Sequence, residues 1–289
     1  MKKSNLNLTL LLLLSFSLLF TSCKEHVNTE KIEVKETAQV EFKTDSISDK
    51  TDKMKVMLHA TSLPLYMNII LNNKEALHIN ETQYQELEEF SKSKSPEAVK
   101  IANEIKNLEA ELYRASLDNG KKEFILSNFE KTLELRANLT NMKLDCRAKV
   151  LEILDENQWK ELVILYQENK PFNDKKEMTV LIKHVNPLPN YMQLVKDVDI
   201  KLDATQEEKL SKWSNENHPR MMELAAKVNT LEKNVYELSI LKESKENILK
   251  KVIEIAEVKK LIVTIKTDCR DHLIHNILTE DQWKILSSK

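Results

Sequence analysis

The sequence predicts an all-α protein built from two tandem helical-hairpin repeats with long amphipathic helices. Three observations lead there. The 289 residues contain a single glycine, Gly120, and six prolines. Leucine, lysine and glutamate, all good helix formers, dominate a chain that is 31% charged and only 6% aromatic. Most of the chain is also written twice. One glycine excludes whole classes of function. Phosphate-binding loops, dinucleotide-binding turns and nucleophile elbows each need glycines close together, because only glycine allows such tight backbone approach. Glycine-dependent hairpins are scarce for the same reason, which argues against an all-β chain. A formal charge of −2 gives no basic footprint for nucleic acid.

In chain order, residues 1–22 read as a signal peptide. Lys2 and Lys3 precede an apolar stretch from Leu8 to Phe20, too short to span a bilayer comfortably and suited to a signal core. It ends in Leu19-Phe20-Thr21-Ser22-Cys23, which resembles a bacterial lipoprotein signal with Cys23 as the lipidated residue. Lys24-Glu25 is weakly similar to a surface-export signal of such lipoproteins. These features place the protein in the cell envelope, periplasmic, on the outer membrane or exposed at the surface, and touching the membrane only through its lipids. Residues 23–54 are polar and lack helical periodicity, so they read as a flexible tether with a reach on the order of 30 Å.

Self-comparison organises the rest. His59, Leu63, Pro64, Tyr66 and Met67 return 125 residues later as His184, Leu188, Pro189, Tyr191 and Met192. At an offset of 123, Gln83, Leu87, Pro96, Ala102, Leu108, Glu109 and Tyr113 match Gln206, Leu210, Pro219, Ala225, Leu231, Glu232 and Tyr236. Lys143, Asp145, Cys146 and Arg147 match Lys266, Asp268, Cys269 and Arg270. One further inserted residue brings Leu154–Trp159 onto Leu278–Trp283. Repeat one spans residues 55–168, a linker 169–179 follows, and repeat two spans 180–289.

Each repeat reads as five helical pieces. A proline-containing segment comes first (56–75, 181–198), then a capped helix (81–93, 204–216). Pro96 and Pro219 are expected in the first turn of a third piece running to about 117 and 241, because a first-turn proline forfeits no hydrogen bond. Asp118-Asn119-Gly120 signals a turn. Long helices follow over 121–153 and 244–276, roughly 50 Å each, and a short helix closes each repeat. Its start carries a capping box with a hydrophobic staple: Thr279 as N-cap, Gln282 at N3, Leu278 against Trp283. Leu154, Asp155, Gln158 and Trp159 repeat the arrangement, as do Ile79, Asn80, Gln83 and Tyr84. Leu202, Asp203 and Gln206 supply a box without the staple. Capping accounts for these residues without any chemistry.

The long helix carries two apolar stripes. Leu126, Phe129, Leu133, Ala137, Leu144 and Leu151 form one. Leu135, Leu139, Met142, Cys146, Val150 and Ile153 form the second, matched by Val258, Ile262, Ile265, Cys269 and Leu273. A helix apolar on two sides needs a further layer. Either the second stripes of the two repeats bury each other, or part of them stays open as a groove for client proteins.

The Leu-x-x-x-Gln boxes at Ile153–Gln158 and Ile277–Gln282, each ending a long charged helix, resemble the Spy/CpxP family of extracytoplasmic proteins. The likeness covers about 77–165 and 200–287 and leaves the Leu-Pro-x-Tyr-Met segments unexplained. It implies small all-α proteins that pair into curved, cradle-like dimers. Some are ATP-independent chaperones, some damp envelope-stress signalling, and related ones sense metals. A tandem copy would then be a pseudo-dimer within one chain, with client proteins or envelope-stress components as partners, no catalytic residues and no cofactor. The mild acidity of this chain departs from the basic cradle of the chaperones. Were the repeats related by a two-fold axis, Cys146 and Cys269 are disulfide candidates if both lie near it, in a compartment that permits the bond. Otherwise they are buried thiols. A metal alternative sets His184, Met192, Cys269, His272 and His275 as soft ligands for copper or zinc. Lys-x-Asp-Cys-Arg lacks the matched base and the second cysteine that thiol catalysis needs.

Overall fold

The computed structural model describes residues 55–168, 185–198 and 200–288. The signal, tether and linker expectations, Cys23 and His184 lie outside them. The described residues are helices and connecting turns, with no strand among them. Short α1 (Tyr66–Asn72) precedes α2 (Glu81–Leu117) and α3 (Lys122–Ile153), which form an antiparallel hairpin closed by α4 (Glu156–Glu168). Short α5 (Tyr191–Asp197) precedes α6 (Ala204–Ile240) and α7 (Lys245–His272); α7 continues through a π-helical turn (Leu273–Ile277) before α8 (Glu280–Ser287). None of these helices is long and apolar enough to cross a membrane. Both hairpins belong to one compact unit.

Two expectations about the helices change. Pro96 and Pro219 sit inside continuous helices of 37 residues, not at helix starts. Both prolines are exposed, so the carbonyls they leave unpaired face water, which lowers the cost of an interior proline. Continuing through Pro96 keeps Leu87, Ala102, Ile105 and Leu112 on one buried side of α2. The π-turn takes up the inserted residue of repeat two: eight positions separate Arg270 from Leu278 where seven separate Arg147 from Leu154. The Leu278 amide accordingly bonds the Leu273 carbonyl, five residues back.

The capping boxes form at Asn80, Asp203 and Thr279, and Asp155 with Gln158 makes the same pair of bonds. Their glutamines also reach outward. Gln83 Nε2 donates to Gln158 Oε1 at 2.9 Å and to the Ile153 carbonyl at 2.9 Å. Gln206 does the same to Gln282 Oε1 (2.8 Å) and the Ile277 carbonyl (2.6 Å). Each pair of boxes therefore clasps the open end of its hairpin. In the α2–α3 turn Asn119 adopts a left-handed conformation (φ 58°), as Lys242 does between α6 and α7 (φ 61°). Gly120 is required by close approach: a Cβ there would lie 2.6 Å from the Ala115 carbonyl oxygen.

The hairpins meet along α3 and α7, which run antiparallel. Lys122 pairs with Asp268, Glu130 with Lys260, and Asp145 with Lys245. The first stripe of α3 faces this junction. Phe129, with Leu126 and Leu133 beside it, clusters with Val263 of α7, and Leu144 clusters with Ile255 and Val258. The second stripes neither bury each other nor form an open groove. Leu135 and Leu139 pack within their own hairpin against Ala102 and Ile105, with Ala60 over them. Val258, Ile262 and Ile265 pack against Ala225, Val228 and Leu231 of α6. Met142 is half-buried. Most of the second stripe is buried within its own hairpin, and the first stripe of α3 supplies Leu126, Phe129, Leu133 and Leu144 to the junction.

Candidate functional site

The Leu-Pro-x-Tyr-Met segments cross between hairpins. Leu63 is buried against Val235, Ile248 and Ile255 of the second hairpin, while Leu188 is buried against Leu112, Ile125 and Phe129 of the first. The Tyr66 hydroxyl meets the Ser239 hydroxyl, and Tyr66 stacks with Trp159 and edges onto Tyr166. The Lys-x-Asp-Cys-Arg motif holds these crossings. Buried Lys143 donates to the Leu63 carbonyl at 2.7 Å, and Lys266 to the Pro189 carbonyl at 2.7 Å. Arg147 donates to the Ser239 carbonyl in the last turn of α6 (3.1 Å) and to the Glu243 carbonyl in the turn after it (2.7 Å), and Arg270 donates to the Gly120 carbonyl in the turn between α2 and α3 (2.7 Å). The Ser239 bond satisfies an orphan carbonyl of the helix C-terminus, where a cation also complements the helix dipole. Desolvation pushes Lys143 down to about 7 and Lys266 to about 8.

Cys146 and Cys269 are free thiols in different clusters. The antiparallel register puts Cys146 beside the start of α7 and Cys269 beside the start of α3. They lie about 25 residues apart along the pair, roughly 35–40 Å, whereas a disulfide needs Cα atoms within about 7 Å. The bridge expected from a shared axis therefore does not form: equivalent residues meet only near the middle of the pair, and these lie toward its ends. Burial raises the Cys146 thiol to about 11 and Cys269 to about 12, opposite to an activated nucleophile.

The described members of the metal set do not assemble. Cys269 and Met192 sit in an apolar cluster, His272 stacks on Trp213 and contacts Asn276, and His275 is exposed. Among the described residues no three of His, Cys, Asp and Glu converge on a point that would hold a metal ion.

Charge is instead concentrated between the hairpins, in a pattern the sequence analysis did not single out. Glu109 accepts from Arg136 (2.6 Å) and contacts His59 Nε2 (2.5 Å), and Arg136 also donates to the His59 carbonyl (2.8 Å). Against the cost of its burial, His59 and Arg136 hold the Glu109 carboxyl down at about 2. The counterpart pair in the second hairpin, Lys259 and Glu232, is 2.7 Å apart and almost wholly buried. Two clefts flank these pairs. One, of about 400 Å³, is lined by His59, Glu109, Tyr113, Arg114, Arg136 and Lys259, with Phe129, Val185, Asn186 and Pro187. The other, of about 380 Å³, lies under the first crossing segment and includes Thr61, Thr140, Asn229, Glu232 and Lys259. The available signal was Glu109 and Glu232 recurring at the same place in both repeats, each facing a cation on the long helix.

No family model, no curated protein and no solved structure matches the chain.

Proposed function

We propose that the chain is a non-enzymatic, lipid-anchored envelope protein that binds other proteins, unfolded or stress-damaged ones, as an extracytoplasmic chaperone or stress adaptor does. The observation that carries this reading is the reciprocal packing of two like hairpins. Lys122–Asp268 and Lys245–Asp145 are one contact with the hairpins exchanged, and so are Arg147 on Glu243 and Arg270 on Gly120. Such reciprocity is what a two-fold pairing produces, and the resemblance to Spy/CpxP proteins implies that pairing between chains. The lipoprotein-like Cys23 and the polar stretch after it support tethering at a membrane.

With the second stripes covered, client contact falls to outward apolar side chains such as Phe124, Ile253 and Leu261, which are 41%, 61% and 44% exposed. The test is suppression of aggregation of a chemically denatured protein. The wild type slows aggregation, and the triple variant Phe124→Asp, Ile253→Asp, Leu261→Asp, still helical by circular dichroism, loses most of that effect. Absence of suppression by an excess of wild type overturns the reading.

A further inference from the structure

We propose that the cleft beside His59, Glu109 and Arg114 is a binding site for a small organic acid: one carboxylate carried on an apolar body. This goes beyond client binding and does not rest on it. The cleft has a polar mouth and an apolar floor. His59, Tyr113 and Arg114 are exposed at its rim, whereas Phe129 and Val185 are buried at its base, with Pro187 beside them.

The charge count leaves one cation to spare. Glu109 is engaged by Arg136 and His59, and Lys259 by Glu232. Arg114 has no carboxylate partner among the described residues; it is exposed and lines the cleft. A guanidinium presents paired donors that match a carboxylate. Glu109 in the lining disfavours a more highly charged phosphate group, so a monoanion is the better fit. The floor takes an apolar group adjacent to the acid.

The duplication supplies an internal comparison. Residues that brace the fold keep their chemistry at the 123-residue offset: Lys143 and Lys266, Arg147 and Arg270, Glu109 and Glu232. Around the cleft the repeats diverge. Arg114 corresponds to Glu237, and Phe129 to Val252. The cations that line the second cleft, by contrast, are all engaged: Arg136 and His59 by Glu109, and Lys259 by Glu232. The spare cation therefore belongs to the first cleft alone.

Calorimetric titration of the purified protein with N-acetylleucine, and with a peptide ending in a free leucine carboxylate, tests this against the corresponding amides. Both acids saturate one site, and each amide binds about tenfold more weakly or worse, since a charge-assisted contact is lost. Saturation by N-acetylleucine alone identifies a free acid as ligand, and by the peptide alone a chain terminus; both support the site. Arg114→Glu, which copies Glu237, and the milder Arg114→Gln weaken acid binding about tenfold or more, with the thermal midpoint unchanged. Equal binding of acid and amide, full affinity in Arg114→Glu, or no heat from either acid up to about 10 mM overturns it.

Discussion

Arg270 Nε donates to Asp271 Oδ1 at 2.9 Å, whereas the Nε of its counterpart, Arg147, is buried without a hydrogen-bond partner among the described residues. The two arginines do the same work, each bonding the turn that joins the long helices of the other hairpin. They differ because position 148 is alanine where 271 is aspartate. A buried donor left unpaired costs about 1–3 kcal/mol. Ala148 is exposed, so a longer side chain fits there. Ala148→Asp should raise stability by about 1 kcal/mol, seen as a thermal midpoint higher by about 2–4 °C. An unchanged or lower midpoint refutes this account of the asymmetry.

Glu232 and Lys259 make a nearly dry ion pair. Removing one partner strands a charge, so Lys259→Met should lower stability by about 3–5 kcal/mol. The double variant Lys259→Met with Glu232→Leu should recover most of that loss, because two apolar groups need no pairing. Urea unfolding of the four proteins measures the cycle. Additive losses would show that the pair is not coupled.

Opposing titrations shape the alkaline stability profile. Lys143 and Lys266 titrate at about 7 and 8 in the native state and at 10.5 when unperturbed. The native protein holds fewer protons than the unfolded chain between those values, so their contribution to stability rises with pH across that window. Cys146, Cys269 and Tyr236 are raised to about 11, 12 and 12. Their protonated forms are favoured in the native state, so stability is lost above about pH 9–10, where the unfolded groups ionise. Thermal midpoints should climb from pH 7 to a maximum near 9 and then fall. Replacing both lysines by methionine should remove the climb, and a wild-type midpoint that falls steadily from pH 7 contradicts the assignment. On the acid side Glu109, held at about 2, contributes stability above its ordinary value that is lost as pH drops from about 4.5 toward 2.

The glutamine clasps tie helix starts together at the open ends of the hairpins. Gln83 and Gln158 exchange side-chain bonds of 2.9 and 3.0 Å while each completes its own capping box. Gln83→Leu and Gln158→Leu should each cost about 1–2 kcal/mol, and together less than the sum, since the second change removes a partner already lost. Independent, additive costs would reduce the clasp to two separate caps.

Both thiols should be alkylated on denaturation without prior reduction. Mass mapping of Cys146 and Cys269 reads this directly, and a linked peptide would contradict the structure.

Helix positions, caps and the duplication were legible in the sequence because each depends on neighbours within a few residues or on direct repetition. Asn80 with Gln83 and Thr279 with Gln282 need only local backbone to form their boxes. The two prolines misled because a first-turn position and a water-facing interior position look alike until exposure is known. Tertiary structure alone decided which apolar stripe of α3 turns inward, that Leu63 and Leu188 cross to the opposite hairpin, and that Cys146 and Cys269 lie apart. The physical reason is register. A sequence repeat states that two segments are alike, but only the antiparallel pairing of α3 with α7 fixes which residue of one faces which residue of the other.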